Sequence, residues 1–129
     1  MWERILSETK GSMFVAEDAP GNIVGFAECG PARDSKDFDG ELYAIYVVQD
    51  MQGKGIGKML SLSVARELKA RGCGSMLIWV LAQNPFRRFY ESLGGQQVGT
   101  KDTIIGGKAL KELGYGWKNL DSFIGKCRR

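Results

Sequence analysis

The segment of this 129-residue chain best suited to chemistry is residues 52–58, Gln-Gly-Lys-Gly-Ile-Gly-Lys. It lies between an apolar run and a stretch of helical periodicity. At a helix start, backbone N–H groups converge on one spot and the helix dipole adds positive potential. Glycine omits the Cβ that would hold an anion off the backbone, and it permits positive φ. Lys54 and Lys58 add charge. The segment therefore predicts a phosphate or pyrophosphate site. Spacing removes two common forms. A Walker A loop needs glycine where Gln52 stands and Ser or Thr where Met59 stands. A dinucleotide GxGxxG needs its third glycine at Lys58 or Leu60. The plain alternative is a strand-to-helix connection that happens to be rich in glycine.

The other reactive groups are limited by composition. There is no histidine. That excludes Ser-His-Asp and Cys-His catalysis, HExxH sites and Cys/His zinc patterns. Acids and bases must come from Glu, Asp, Tyr, Lys, Cys or water, and no metal is expected. Cys29, Cys73 and Cys127 are odd in number and form no CxxC pair, which points to a reduced, cytoplasmic setting. Net charge is +3, with basic residues spread along the chain. That suits an anionic small ligand or solubility, with no nucleic-acid surface. No apolar run approaches transmembrane length, and residues 1–10 lack the apolar core of a signal peptide.

The elements that would position these groups follow from periodicity. Residues 1–10 read as the end of a helix, with Trp2, Ile5 and Leu6 on one side. Residues 13–16 and 23–29 flank a dense turn signal and predict a hairpin. Residues 30–40 read as an exposed loop. Residues 41–48 are apolar on both faces and predict a central strand, opened by Glu41. From Ile56 apolar residues recur at helical spacing until Gly72. Residues 75–81 are a second buried strand. Asn84-Pro85 reads as a helix start, with Phe86, Phe89, Tyr90 and Leu93 as its apolar stripe and Gly94-Gly95 as its stop. Residues 97–105 and 110–117 predict a final hairpin. The chain is expected to form a single domain over residues 1–129, of α/β (α+β) type with helices packed on a mixed sheet.

Gln52, Gly55 and Gly57 fill the pattern Q/R-x-x-G-x-G/A, and residues 84–94 read NPFRRFYESLG. Together these segments resemble the GNAT superfamily of acetyl-CoA-dependent N-acetyltransferases, over roughly residues 14–117. The resemblance implies a mixed, mostly antiparallel sheet and acetyl-CoA as co-substrate. It implies that Gln52, Gly53, Lys54, Gly55, Ile56, Gly57 and Lys58 hold the pyrophosphate. The backbone of Val47 and Val48 would pair with the pantetheine arm. Asn84 would contact the cofactor, and Arg87 would reach its phosphate or its pantetheine edge. Glu41, eleven residues before Gln52, matches a base that takes the amine's proton, directly or through water. Tyr90 matches an acid that protonates the leaving thiolate. The acceptor would be a primary amine of a small molecule or peptide, with Tyr43 bordering its pocket; Trp79 either borders it too or, as the preferred reading, packs in the interior.

Two departures accompany the resemblance. One residue fewer stands between Asn84 and Tyr90 than in the commoner family pattern, and the chain begins near the end of the family's usual N-terminal strand and two helices. The second departure predicts a bare edge at residues 13–16 and hence a homodimer, the alternative being that residues 1–10 fold back and cover the edge within one subunit. It also leaves a rival reading, a CoA-binding domain with little catalysis.

Overall fold

The structure is a computed structural model that describes residues 2–7, 11–33 and 35–127, with the backbone path alone for 2–7. Its strands are β1 (Trp2–Ser7), β2 (Ser12–Ala19), β3 (Asn22–Pro31), β4 (Gly40–Val47), β5 (Met76–Leu81), β6 (Gln96–Ile105) and β7 (Lys108–Trp117). Its helices are α1 (Ile56–Ala70), α2 (Arg87–Ser92) and α3 (Leu120–Cys127). Among the described residues the strands form one sheet in the order β1-β2-β3-β4-β5-β7-β6. Every neighbouring pair is antiparallel except β4 and β5, which run parallel and are joined through α1. The expected mixed, mostly antiparallel sheet is therefore present.

Alternation along the strands explains the layers. Leu42 and Val47 of β4, Ile78 and Val80 of β5, and Tyr115 and Trp117 of β7 join one core with α1, α2 and α3. From the helices come Leu60, Val64 and Leu68, Tyr90 and Leu93, and Leu120 and Phe123. Val15, Glu41 and Leu77 are buried on the opposite face of the sheet, outside that core. Among the described residues no helix covers that second face. No described helix is long and apolar enough to cross a membrane.

Three local expectations change. Residues 2–7 form a strand that pairs with β2 from Trp2↔Glu17 to Ser7↔Ser12. The spacing of Trp2, Ile5 and Leu6 allowed a helix, but pairing satisfies the backbone groups of the β2 edge, and tertiary context overrides local propensity. The edge that motivated the homodimer is thus covered within the chain. The Asn84-Pro85 helix begins later than expected, at Arg87. Residues 84–89 instead form successive short turns, Arg87 N–H to Asn84 O, Arg88 N–H to Pro85 O and Phe89 N–H to Phe86 O. The third change is α3, which the sequence reading omitted. Its signal is Asn119, whose side-chain oxygen accepts from the N–H groups of Asp121 and Ser122 ahead of Leu120, Phe123 and Cys127 at helical spacing.

The helix stops hold as expected. Gly72 follows α1 at φ +94°, and Gly94 follows α2 at φ +88°. Gly95 N–H closes back on Tyr90 O at 3.0 Å.

The parallel start of β4 and β5 is fixed by one carboxylate. Asp39 accepts from Gly74 N–H at 3.0 Å, Ser75 N–H at 2.9 Å and the Ser75 hydroxyl at 2.7 Å. Burial works to raise the Asp39 carboxyl, and these hydrogen bonds outweigh it, holding it below its ordinary value. A depressed carboxyl stabilises the fold above its unfolded value and loses that effect as pH falls. Asp39→Asn should therefore cost about 1 kcal/mol at neutral pH, at the low end because the residue meets solvent. The gap between parent and variant should close as the pH drops below about 4. Urea titrations along a pH series check both expectations.

Candidate active site

The β4–β5 ladder runs from Gly40↔Met76 through Leu42↔Ile78 and stops there. The cause lies on the other side of β4. Pairing with β3 shifts between Glu28↔Ala44 and Cys29↔Leu42, so Tyr43 is an extra residue, and a bulge of this kind bends the strand. The parting strands enclose a cleft of about 350 Å³. Its walls are residues 43–47 and 78–81, and Phe86 and Tyr90 close it from the helix side. Gln52, Asn84 and Glu112 complete the lining.

Val48 donates its N–H to Val24 O at 2.9 Å, toward β3. Alternation along a strand then turns the backbone groups of Val47 and Ile45 toward the cleft. The Val47 carbonyl there accepts from Gln52 Nε2 at 3.1 Å. Of the two residues expected to offer backbone groups, Val47 faces the cleft and the Val48 N–H is spent inside the sheet.

The glycine turn adjoins the same cleft through Gln52. Gly53 and Gly55 take φ of +79° and +85°, and no atom lies within 4 Å of where their Cβ would stand. Gly55 caps α1 without any side-chain hydrogen bond, and the helical ladder begins with Met59 N–H to Gly55 O. The N–H groups of Ile56, Gly57 and Lys58 therefore precede the first helical donor, and the helix itself offers them no acceptor. Gly57 serves differently from the other two, since its Cβ would come 3.3 Å from Phe86 Cζ. Phe86 thereby packs α2's approach onto the first turn of α1. Lys54 Nζ lies 3.9 Å from Met51 Sδ. Lys58 acts electrostatically on Cys127.

Tyr90 is 2% exposed, and burial pushes its phenol well above the ordinary value. Its ring meets Phe86 and Trp117 edge-on, with centroids 5.9 and 6.3 Å away. Among the described residues its hydroxyl has no hydrogen-bond partner. It is a proton-bearing phenol that lines the cleft.

Glu41 is placed differently. It is equally buried, lies outside the cleft lining, and both its oxygens are taken by Arg33. Arg33 donates from its backbone N–H at 2.8 Å and from Nη2 at 2.9 Å. The same guanidinium lies 4.0 Å over the Tyr43 ring, whose hydroxyl donates to Pro31 O. Asn84 lines the cleft, with its side-chain oxygen engaged by Phe86 N–H at 2.9 Å. Arg87 is turned to Glu91, 3.8 Å away, and does not line the cleft. Tyr43 and Trp79 both border it. None of the cysteines does, and burial raises the thiols of Cys29 and Cys127 to about 11. Among the described residues no cluster of three or more His, Cys, Asp or Glu could hold a metal ion.

Sequence reasoning missed Glu112 and Phe86. Phe86 had been read as part of a helical core stripe. Glu112 reaches the cleft because β7 pairs it with Leu81, a register that the sequence does not announce.

Comparison with known proteins gives concordant matches. The profile of the Acetyltransferase (GNAT) family matches residues 1–95. The chain is 39% identical over 117 residues to YuaI of Bacillus subtilis (strain 168), which bears the name uncharacterized N-acetyltransferase. That match covers 90% of this chain and 68% of the relative. The ribosomal-protein-alanine N-acetyltransferase of Brucella melitensis superposes with a TM-score of 0.69 at 28% identity, over 83% of this chain and 68% of that one. NAA60 of Arabidopsis thaliana, solved with a bisubstrate analogue, gives 0.71 at 19% identity over 84% and 75%, a likeness of fold alone.

The turn geometry makes a stability prediction that needs no ligand. Gly55→Ala places a Cβ in open space but at positive φ, a backbone penalty of about 1–2 kcal/mol. Gly74→Ala, equally open and without positive φ, should be close to neutral. Paired urea denaturation curves separate the two.

Proposed function

The chain belongs to the GNAT acetyltransferase family, and we propose that it transfers an acetyl group from acetyl-CoA to a primary amine. The observation that carries this reading is the convergence of an uncapped, glycine-opened helix start and a buried phenol on one cleft between parting strands. Acetyl-CoA fits the residues present. Its pyrophosphate suits the N–H groups of residues 53–58, where Gly53 and Gly55 leave the approach open. Its amide-bearing arm suits the cleft-facing backbone of Ile45 and Val47, as an added strand would. When bound, it supplies an acyl group activated as a thioester.

The chain's own residues then handle protons. Tyr90, kept neutral by burial, holds a proton for the departing sulfur. Glu41 enters as the base that the family resemblance implies, working through water. For that, Arg33 has to release at least one of its oxygens. Loss of the ion pair on acceptor binding would couple catalysis to the loop that carries Arg33. By its name, the Brucella relative acts on a ribosomal protein, so peptide amines stand beside small molecules as acceptors. We take residues 1–129 as one catalytic unit. The occupied Glu41 carboxylate favours a second reading, a CoA-binding domain with weak catalysis. That protein would bind acetyl-CoA yet release no thiol with any amine.

Two variants test the assignment. Gly57→Glu puts a negative charge where the pyrophosphate should lie, beside the Phe86 ring. Calorimetry should find acetyl-CoA binding lost while circular dichroism stays native, and unchanged affinity refutes the site. Tyr90→Phe should lower kcat by about 10²–10⁴-fold, with a smaller change in the KM for acetyl-CoA. A parent-like rate would assign the thiolate's proton to solvent.

A further inference from the structure

Glu112 is the one carboxylate among the residues lining the cleft. Among the described residues it has neither a hydrogen bond nor an ion pair. Its neighbour on the same face of the sheet is Trp79, because Leu81↔Glu112 and Trp79↔Gly114 are successive same-face pairs of β5 and β7. The indole lies flat. A Cβ at Gly114 would come 2.9 Å from its Cζ3, and one at Gly99 would come 3.5 Å from its Cη2. With glycine at both positions, one ring face rests on the sheet backbone and the other faces outward. That outer face already carries a cation, since Lys101 Nζ stands 4.4 Å from the ring centroid. Lys101 is also the cross-strand partner of Glu112, without forming an ion pair with it.

We propose that the acceptor is a primary amine bearing a second cationic group, and that Glu112 and the outer face of Trp79 receive that second charge in place of Lys101. The inference rests on the acetyl-transfer reading above and names its substrate class. The resident ammonium shows that the ring face accepts an alkylammonium ion, an interaction that strengthens when water is excluded. The division of labour follows from charge. The nitrogen that attacks must be neutral, whereas a carboxylate beside an amine favours its protonated form. Glu112 is therefore suited to the cation that does not react, and the reacting nitrogen belongs farther along the cleft, toward Tyr90. A short diamine or a lysine whose α-amine is free meets both demands, while a simple alkylamine meets one.

The test uses the full chain, with acetyl-CoA binding followed by calorimetry and turnover by thiol release. Short alkyl diamines and lysine amide are compared with alkyl monoamines of matching length. The best dication should show a KM about tenfold below its matched monoamine, the worth of one cation–π or ion-pair contact in a sheltered site. Glu112→Gln should erase most of that ratio, acting on KM more than on kcat, and Glu112→Asp should recover part of it. Lys101→Met, which vacates the ring face, should widen the ratio. Equal KM values for dications and monoamines overturn the proposal, as does a ratio unmoved by Glu112→Gln. A protein that binds acetyl-CoA and acetylates no cationic acceptor in the series overturns it too. Absence of acetyl-CoA binding is a separate result that brings down the transferase reading itself.

Discussion

Between β4 and β5 the hydrogen-bonded ladder is short, and the candidate site exists because it ends. Two constraints meet at that point. On one side Asp39 ties the entry of β4 to Gly74 and Ser75 at the entry of β5, so the strands must start together. On the other side the extra residue at Tyr43 bends β4 within its pairing to β3. Strands pinned at one end and bent just beyond it must part. Their parting leaves the backbone groups of Ile45 and Val47 as an edge without a partner strand inside the molecule, where the Val47 carbonyl accepts from Gln52 instead. Edges of that kind normally invite another strand, and here a narrow cleft limits what can reach them.

The helices make that opening chemical. The turn after β4 delivers the uncapped start of α1 beside the cleft, and Gln52 fixes it there through the Val47 carbonyl. Phe86 sets the spacing between this turn and α2, and glycine at position 57 lets the ring settle closely on the first turn, where a Cβ would come 3.3 Å from Cζ. Tyr90 then lies under a cluster of rings, with Trp117 anchored by its own hydrogen bond to Leu93 O at 3.0 Å. Burial there keeps the phenol protonated.

Charge is distributed unevenly over this frame. Arg33 neutralises Glu41 at the buried start of β4, whereas Glu112 on the far wall has no hydrogen-bond or ion-pair partner among the described residues. Two aromatic rings that border the cleft, Tyr43 and Trp79, each carry a cation from the chain itself. The helix-free face of the sheet thus offers rings and a carboxylate, while the helix side offers backbone donors. An anionic thioester carrier and a cationic amine would meet such a cleft from opposite electrostatic directions.

The sequence determined the elements whose signals are local. Periodicity placed β4, α1 and β5, and the glycines at 72 and 94 marked helix stops that the structure realises with positive φ. The glycine turn and the stop at Gly94 were legible because backbone shape there depends on residue type at fixed spacing. Tertiary structure decided what depends on partners distant in sequence. Residues 2–7 became a strand because β2 needed its edge paired. Glu41, which looked like a base at the mouth of a strand, was claimed by Arg33 across the loop of residues 32–39. Glu112 entered the cleft through the register of a hairpin, where a shift of one residue would have turned it to the other face. A side chain's type is written in the sequence, but its freedom to react is set by the neighbours that folding brings to it.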